Sequence, residues 1–99
     1  MDNFDFLIPG DYEKITVSNS SIGLTSADIN VGRQTMAIIS VETDSIRWRC
    51  DGTAPTSAEG LLMYAGDSLS LTGIQSLVNF RMIRVTGDAS VKVQYFHHL

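Results

Sequence analysis

The sequence predicts an all-β protein, an antiparallel β-sandwich or flattened barrel of seven to eight short strands. Three observations support this fold class. Apolar and polar residues alternate over short segments, most clearly in residues 46–50, as in a strand with one buried and one exposed face. Turn residues separate these segments at regular intervals, as in Asp51-Gly52 followed by Pro55. No segment has the periodicity of a long helix, and 99 residues suit a single domain.

Alternation and turn residues place the individual strands. The predicted strands cover residues 12–18, 22–25, 35–42, 45–50, 60–64, 68–72, 80–86 and 89–96. Residues 35–42 are apolar on both faces, which indicates a central strand. Only Thr43-Asp44 separates this strand from the next, which is the spacing of a tight hairpin. Gly87-Asp88 joins the last two strands and fits a type II′ turn, so we expect these strands to pair as well.

The same alternation predicts the interior. Trp48 and Cys50 lie on one side of their strand together with a third apolar residue, so we expect both to be buried. A bulge near Met82 would turn four apolar side chains of the seventh strand toward the core, namely Phe80, Met82, Ile83 and Val85. The segments without strand character are a polar loop over residues 26–34 and one helical turn over residues 73–79.

We divide the chain into an N-terminal arm (residues 1–11), one β-sandwich domain (residues 12–96) and a C-terminal tail (residues 97–99). Pro9-Gly10 breaks the chain after an apolar stretch. We predict that this stretch is an assembly arm, which docks on its own domain or clasps a neighbouring subunit; its apolar residues are Phe4, Phe6, Leu7 and Ile8. The tail contains two adjacent histidines, which in a strand would point to opposite faces and so cannot easily hold one metal ion.

Charge and composition exclude several functional classes. The net charge of −4 argues against a nucleic-acid partner, which requires clustered cations. Five basic residues could share one surface if their strands pair. We interpret that surface as a solvated sheet face, with an anion site as the alternative; the residues are Arg47, Arg49, Arg81, Arg84 and Lys92. The chain has no apolar stretch of the length of a membrane span and no secretion signal, which predicts a protein made in a cytoplasm without a membrane partner.

No pattern in the sequence indicates catalysis. One cysteine excludes an intrachain disulfide, and the histidines are confined to the tail, where they cannot serve a serine nucleophile as base. Phosphate-binding glycine motifs and metal-ligand spacings are absent, so we expect neither cofactor nor metal. Four of the eleven acidic residues occupy predicted turns, where they support the backbone; these are Asp44, Asp51, Asp67 and Asp88. The sequence therefore predicts a protein that is not an enzyme.

The order of these strand and turn patterns resembles a family of small virion structural proteins of tailed bacteriophages and prophages. The resemblance covers roughly residues 12–96 and is carried by segments 14–17, 23–26, 36–42, 46–56, 65–69, 80–84 and 89–95. It implies a component of the head or head–tail region with a decoration or assembly role. The implied partners are copies of the chain or other virion proteins, and the implied location is the virion. It implies no catalytic residues.

A second, local similarity leaves an alternative open. Residues 51–56 resemble a turn in β-sandwich modules appended to chitobiase-type glycosidases. The alternative function is therefore a carbohydrate-binding or cell-surface-binding module. Such a module needs exposed aromatic rings beside polar groups, and the candidate surface contacts are Tyr12, Arg49 and Tyr64.

Overall fold

The computed structural model describes residues 7–25 and 34–98. This part of the chain contains eight strands and one short helix, and the arrangement is a two-layer all-β sandwich, which confirms the predicted fold class. The elements are β1 (Leu7–Val17), β2 (Ile22–Gly23), β3 (Met36–Glu42), β4 (Ile46–Arg49), β5 (Leu61–Met63), β6 (Ser68–Thr72), α1 (Ile74–Asn79), β7 (Arg81–Arg84) and β8 (Ala89–His98).

The strands form two four-stranded antiparallel sheets. Sheet I has the order β1-β8-β3-β6, and sheet II has the order β2-β7-β4-β5. Strands β1 and β6 are therefore the edges of sheet I, and β2 and β5 are the edges of sheet II. Alternate side chains of both sheets meet between the layers, as expected for a sandwich.

The core is built from these inward-facing side chains. Sheet I contributes fully buried residues from β1, β3 and β8, and sheet II contributes them from β4 and β7. The largest fully buried side chains are Tyr95, Phe80, Ile39, Ile46, Leu77, Met82, Val17, Val41, Val91 and Val93. Helix α1, which confirms the predicted helical turn, adds Leu77 to this core. Burial of a continuous apolar interior between the sheets is what stabilises a domain of this size.

The two predicted hairpins are wrong. Strands β3 and β4, on either side of Thr43-Asp44, belong to different sheets, and so do β7 and β8 around Gly87-Asp88. A two-residue connection can join the two strands of a hairpin, or it can carry the chain from one sheet to the other. Here each of the four connected strands pairs with strands other than the one to which its short connection leads. Thr43 makes the first crossing sharp because its φ is 73°, in the left-handed region.

The predicted bulge near Met82 is also wrong. Strand β7 pairs with β4 in an unbroken register, from Arg81 opposite Arg49 to Arg84 opposite Ile46. Met82 is therefore buried, while Ile83 points to the other face and is half-buried. Phe80 is buried and Val85 half-buried. Trp48 and Cys50, expected to be buried, are only partly buried and pack against the margin of the core.

The predicted arm and tail meet in one strand pair. Strand β1 begins at Leu7 and β8 ends at His98, and Ile8 lies opposite His97. Residues 7–11 thus dock on their own domain, with a register shift between Pro9 and Tyr12, and the two histidines of the predicted tail are the last residues of β8. Pairing supplies each segment with backbone hydrogen-bond partners. Phe4 and Phe6 lie outside the described residues, as does most of the predicted loop over residues 26–34.

Candidate functional site

Strand β5 exposes an apolar surface at the edge of sheet II. Its only strand partner among the described residues is β4. Of the six large apolar side chains exposed in this part of the chain, three lie on or directly after β5: Leu61 is 59%, Leu62 38% and Tyr64 61% exposed. Exposed apolar side chains on an unpaired edge are typical of a surface that another chain covers. We call this surface the β5 edge.

The side chains of the β5 edge lie on both faces of the strand. Leu61 pairs with Trp48 and shares its inward-facing side, whereas Leu62 pairs with Arg47 on the outer face of sheet II. Leu61 stays exposed despite its inward direction because no strand lies beyond β5 in the described residues. The β5 edge therefore offers apolar contacts above and below its backbone.

The backbone before β5 is held firmly against β4. The guanidinium of Arg47 donates to Ser57 O over 3.1 Å and to Gly60 O over 3.0 Å. Thr56 and Glu59 bond to each other through their backbones, which closes the loop. Gly60 has a φ of 138°, and a Cβ atom there would lie 3.1 Å from the Cβ of the buried Pro55. A glycine is required at this position for both reasons.

A surface pocket of about 480 Å³ opens where β4 ends and β5 begins. It is lined by Trp48, Arg49, Cys50, Asp51, Glu59, Gly60 and Leu61. The ring of Trp48 also contacts the buried ring of Phe80, with centroids 5.6 Å apart and planes inclined by 32°. Phe80 therefore fixes the aromatic wall of the pocket from the core side.

The charged groups of the pocket are paired with each other. Arg49 donates from Nη2 to Asp51 Oδ2 over 2.5 Å and from Nε to Asp51 Oδ1 over 3.1 Å. This pairing, together with a hydrogen bond from the backbone N–H of Thr53, lowers the pKa of Asp51. The hydrogen bond to Asp51 raises the pKa of Arg49, and the charge of Glu59 adds to this. Both side chains are solvated, so the pair orients the pocket rim more than it stabilises the fold.

The basic residues do not form one surface. Arg47, Arg49 and Arg81 share the outer face of sheet II, because Arg49 lies opposite Arg81 in the β4–β7 pair. Arg84 forms an ion pair with Asp88. Lys92 belongs to sheet I, where it lies 3.2 Å from Glu42. Of the three strands that carry these five residues, only β4 and β7 pair with each other.

The structure separates the three candidate surface contacts. Tyr12 is 60% exposed but lies on β1 in sheet I. Arg49 and Tyr64 both belong to the β4–β5 side of sheet II, at opposite ends of the paired segment. Leu61 and Leu62 were missed. The unbroken apolar run of residues 61–64 could have indicated that they are exposed, because an edge strand of three residues cannot bury consecutive side chains.

In the described residues, no group of three His, Cys, Asp or Glu side chains is arranged to hold a metal ion. Helix α1, the one helix of this part of the chain, is too short to cross a membrane. No protein-family model, curated protein or solved structure matches the chain.

Proposed function

We propose that this chain is a non-enzymatic structural protein of a tailed-bacteriophage particle. It acts in the head or head–tail region by associating with copies of itself or with a capsid-like surface. The observation that carries the association is the β5 edge, where three large apolar side chains lie beside a strand edge that has no partner strand among the described residues. The sequence resemblance supports the choice of a virion protein.

The β5 edge has the chemistry of a protein contact. Its backbone can add a partner strand, and its side chains supply apolar area on both faces. Because Leu61, Leu62 and Tyr64 are each between 38% and 61% exposed, covering them contributes about 1 kcal/mol per side chain before ordering costs. The loop before β5 is held by Arg47, so the surface loses little conformational entropy when a partner binds.

Light scattering over a concentration series tests the association. We expect the chain to form an oligomer and Tyr64→Ser to weaken it about fivefold, the equivalent of about 1 kcal/mol. Tyr12→Ser is the matched control, because Tyr12 has nearly the same exposure, 60% against 61%, but lies on the other sheet. A protein that stays monomeric at high concentration, and does not sediment with particles after gradient fractionation of a phage lysate, contradicts the proposal.

The pocket supports a second candidate function, carbohydrate binding. It combines the indole of Trp48 with the guanidinium and carboxylates of Arg49, Asp51 and Glu59. An aromatic face beside paired hydrogen-bonding groups suits a sugar ring, and about 480 Å³ lies within the range of ligand pockets. A glycan array tests this, with Glu59→Ala as the variant that should lose binding. An array on which the wild type has no ligand contradicts this function.

A further inference from the structure

We propose that residues 1–6 of one copy bind as an added strand along the β5 edge of a second copy. This inference rests on the self-association in the proposed function and names the segment that makes the contact. It adds a fifth strand to sheet II of the neighbour, beyond β5. Three features support it: the two-faced β5 edge, the alternation of residues 4–6, and the place where β1 begins.

The receiving strand has different chemistry on its two faces. On the inward side, Leu61 is exposed and continues into the pocket beside Trp48. On the outer side, Leu62 lies opposite Arg47, whose hydrogen-bond acceptors are neutral backbone carbonyls. A matching strand therefore needs large apolar residues on one side and a small acidic residue on the other.

Residues 4–6 have this pattern, reading Phe-Asp-Phe. In an extended strand, Phe4 and Phe6 share one face and Asp5 lies on the other. The two rings match Leu61 and the pocket, and the carboxylate of Asp5 matches Arg47. Aromatic side chains bury more area than other residues on addition to an edge, which makes Phe4 and Phe6 the anchors of the contact.

The position of Leu7 favours a neighbour over the same chain. Strand β1 lies on the side of the sandwich near β2, where Glu13 accepts hydrogen bonds from Thr25. Strand β5 is at the opposite edge of sheet II, three strand spacings away, or about 14 Å. Six extended residues reach about 20 Å, which leaves too little chain to cross sheet II and then follow β5 for three residues.

The described start of β1 lies at the end of the β1–β8 ribbon. The pairing of β8 with β3 stops at Phe96 opposite Met36, whereas its pairing with β1 continues to His98 opposite Leu7. The last two residue pairs of the β1–β8 ribbon thus extend past β3.

Cysteine cross-linking in a Cys50→Ser background tests the contact. Cys50 is the only cysteine of the chain, so each variant carries one defined thiol. Asp5→Cys and Leu62→Cys proteins are mixed in equal amounts and treated with a mild oxidant, and mass spectrometry identifies the disulfide-linked pairs. We expect the 5–62 linkage to exceed a 5–12 linkage, formed with Tyr12→Cys as the control, at least tenfold. Deletion of residues 1–6 is expected to raise the dissociation constant at least tenfold.

The other possible outcomes distinguish a failure of this inference from a failure of the proposed function. A stable oligomer that survives the deletion, or that cross-links residue 62 to residue 62, leaves self-association standing and overturns the role of residues 1–6. A 5–62 linkage inside one chain, in a dilute protein carrying both cysteines, overturns the exchange between copies. A protein that is monomeric at every concentration and gives no linkage overturns self-association, and with it this inference.

Discussion

Truncation of Phe80 tests the tertiary packing that shapes the pocket. Phe80 is fully buried, and its ring lies 5.6 Å from that of Trp48, which forms the pocket wall. Phe80→Ala removes a whole aromatic ring from a closed interior, where neighbouring strands prevent collapse. We therefore expect a loss of about 3–5 kcal/mol in the free energy of unfolding.

Urea unfolding followed by circular dichroism measures this loss. Trp48 is the only tryptophan of the chain, so its fluorescence gives an independent reading from the site itself. In the folded variant, its emission should shift to longer wavelength, because water replaces part of the apolar contact from Phe80. Phe80→Leu keeps much of the volume and should cost about 1–2 kcal/mol.

Tyr12→Ala is the matched control, since this side chain is 60% exposed on the outside of sheet I. It should change the free energy of unfolding by about 0.5 kcal/mol or less. A loss below about 1 kcal/mol for Phe80→Ala, with unchanged Trp48 emission, would refute the reasoning. In that case Phe80 would not be enclosed between the two sheets.

Two further substitutions probe the loop and rim of the pocket. Gly60→Ala should destabilise the protein by more than the control Gly52→Ala in thermal unfolding: both have positive φ, worth about 1–2 kcal/mol, but only at Gly60 would a Cβ meet neighbouring atoms. Equal losses would show that Gly60 has no close neighbours. Asp51→Asn should slightly lower the unfolding midpoint at neutral pH, because Arg49 lowers the pKa of Asp51 in the folded protein. That difference should shrink as the pH falls below about 3.9 and the wild-type carboxylate takes up its proton; a difference independent of pH contradicts the assignment.

The strand positions could be predicted because alternation is a local property. Strand β6 has the predicted bounds, 68–72, and β3 lies within the predicted 35–42. Helix α1 falls inside the predicted turn of residues 73–79. Each of these depends on side chains a few positions apart, so the sequence alone contains the necessary information.

The candidate site could be predicted only in part. Arg49 and Tyr64 both lie on the β4–β5 side of sheet II, but Tyr12, grouped with them from the sequence, is on the other sheet. The exposure of Leu61 and Leu62 depends on β5 being an edge strand. An apolar run looks the same in a sequence whether a neighbouring strand covers it or not.

The sequence by itself determined that this is an all-β chain, where most strands lie and which turns interrupt them. Only the tertiary structure decided which strands are neighbours, and it placed β3 apart from β4 and β7 apart from β8. The physical reason is that pairing is chosen by the burial of whole sheet faces. Residues distant in the chain contribute to that burial, whereas a two-residue connection such as Thr43-Asp44 is compatible with one layer or with two.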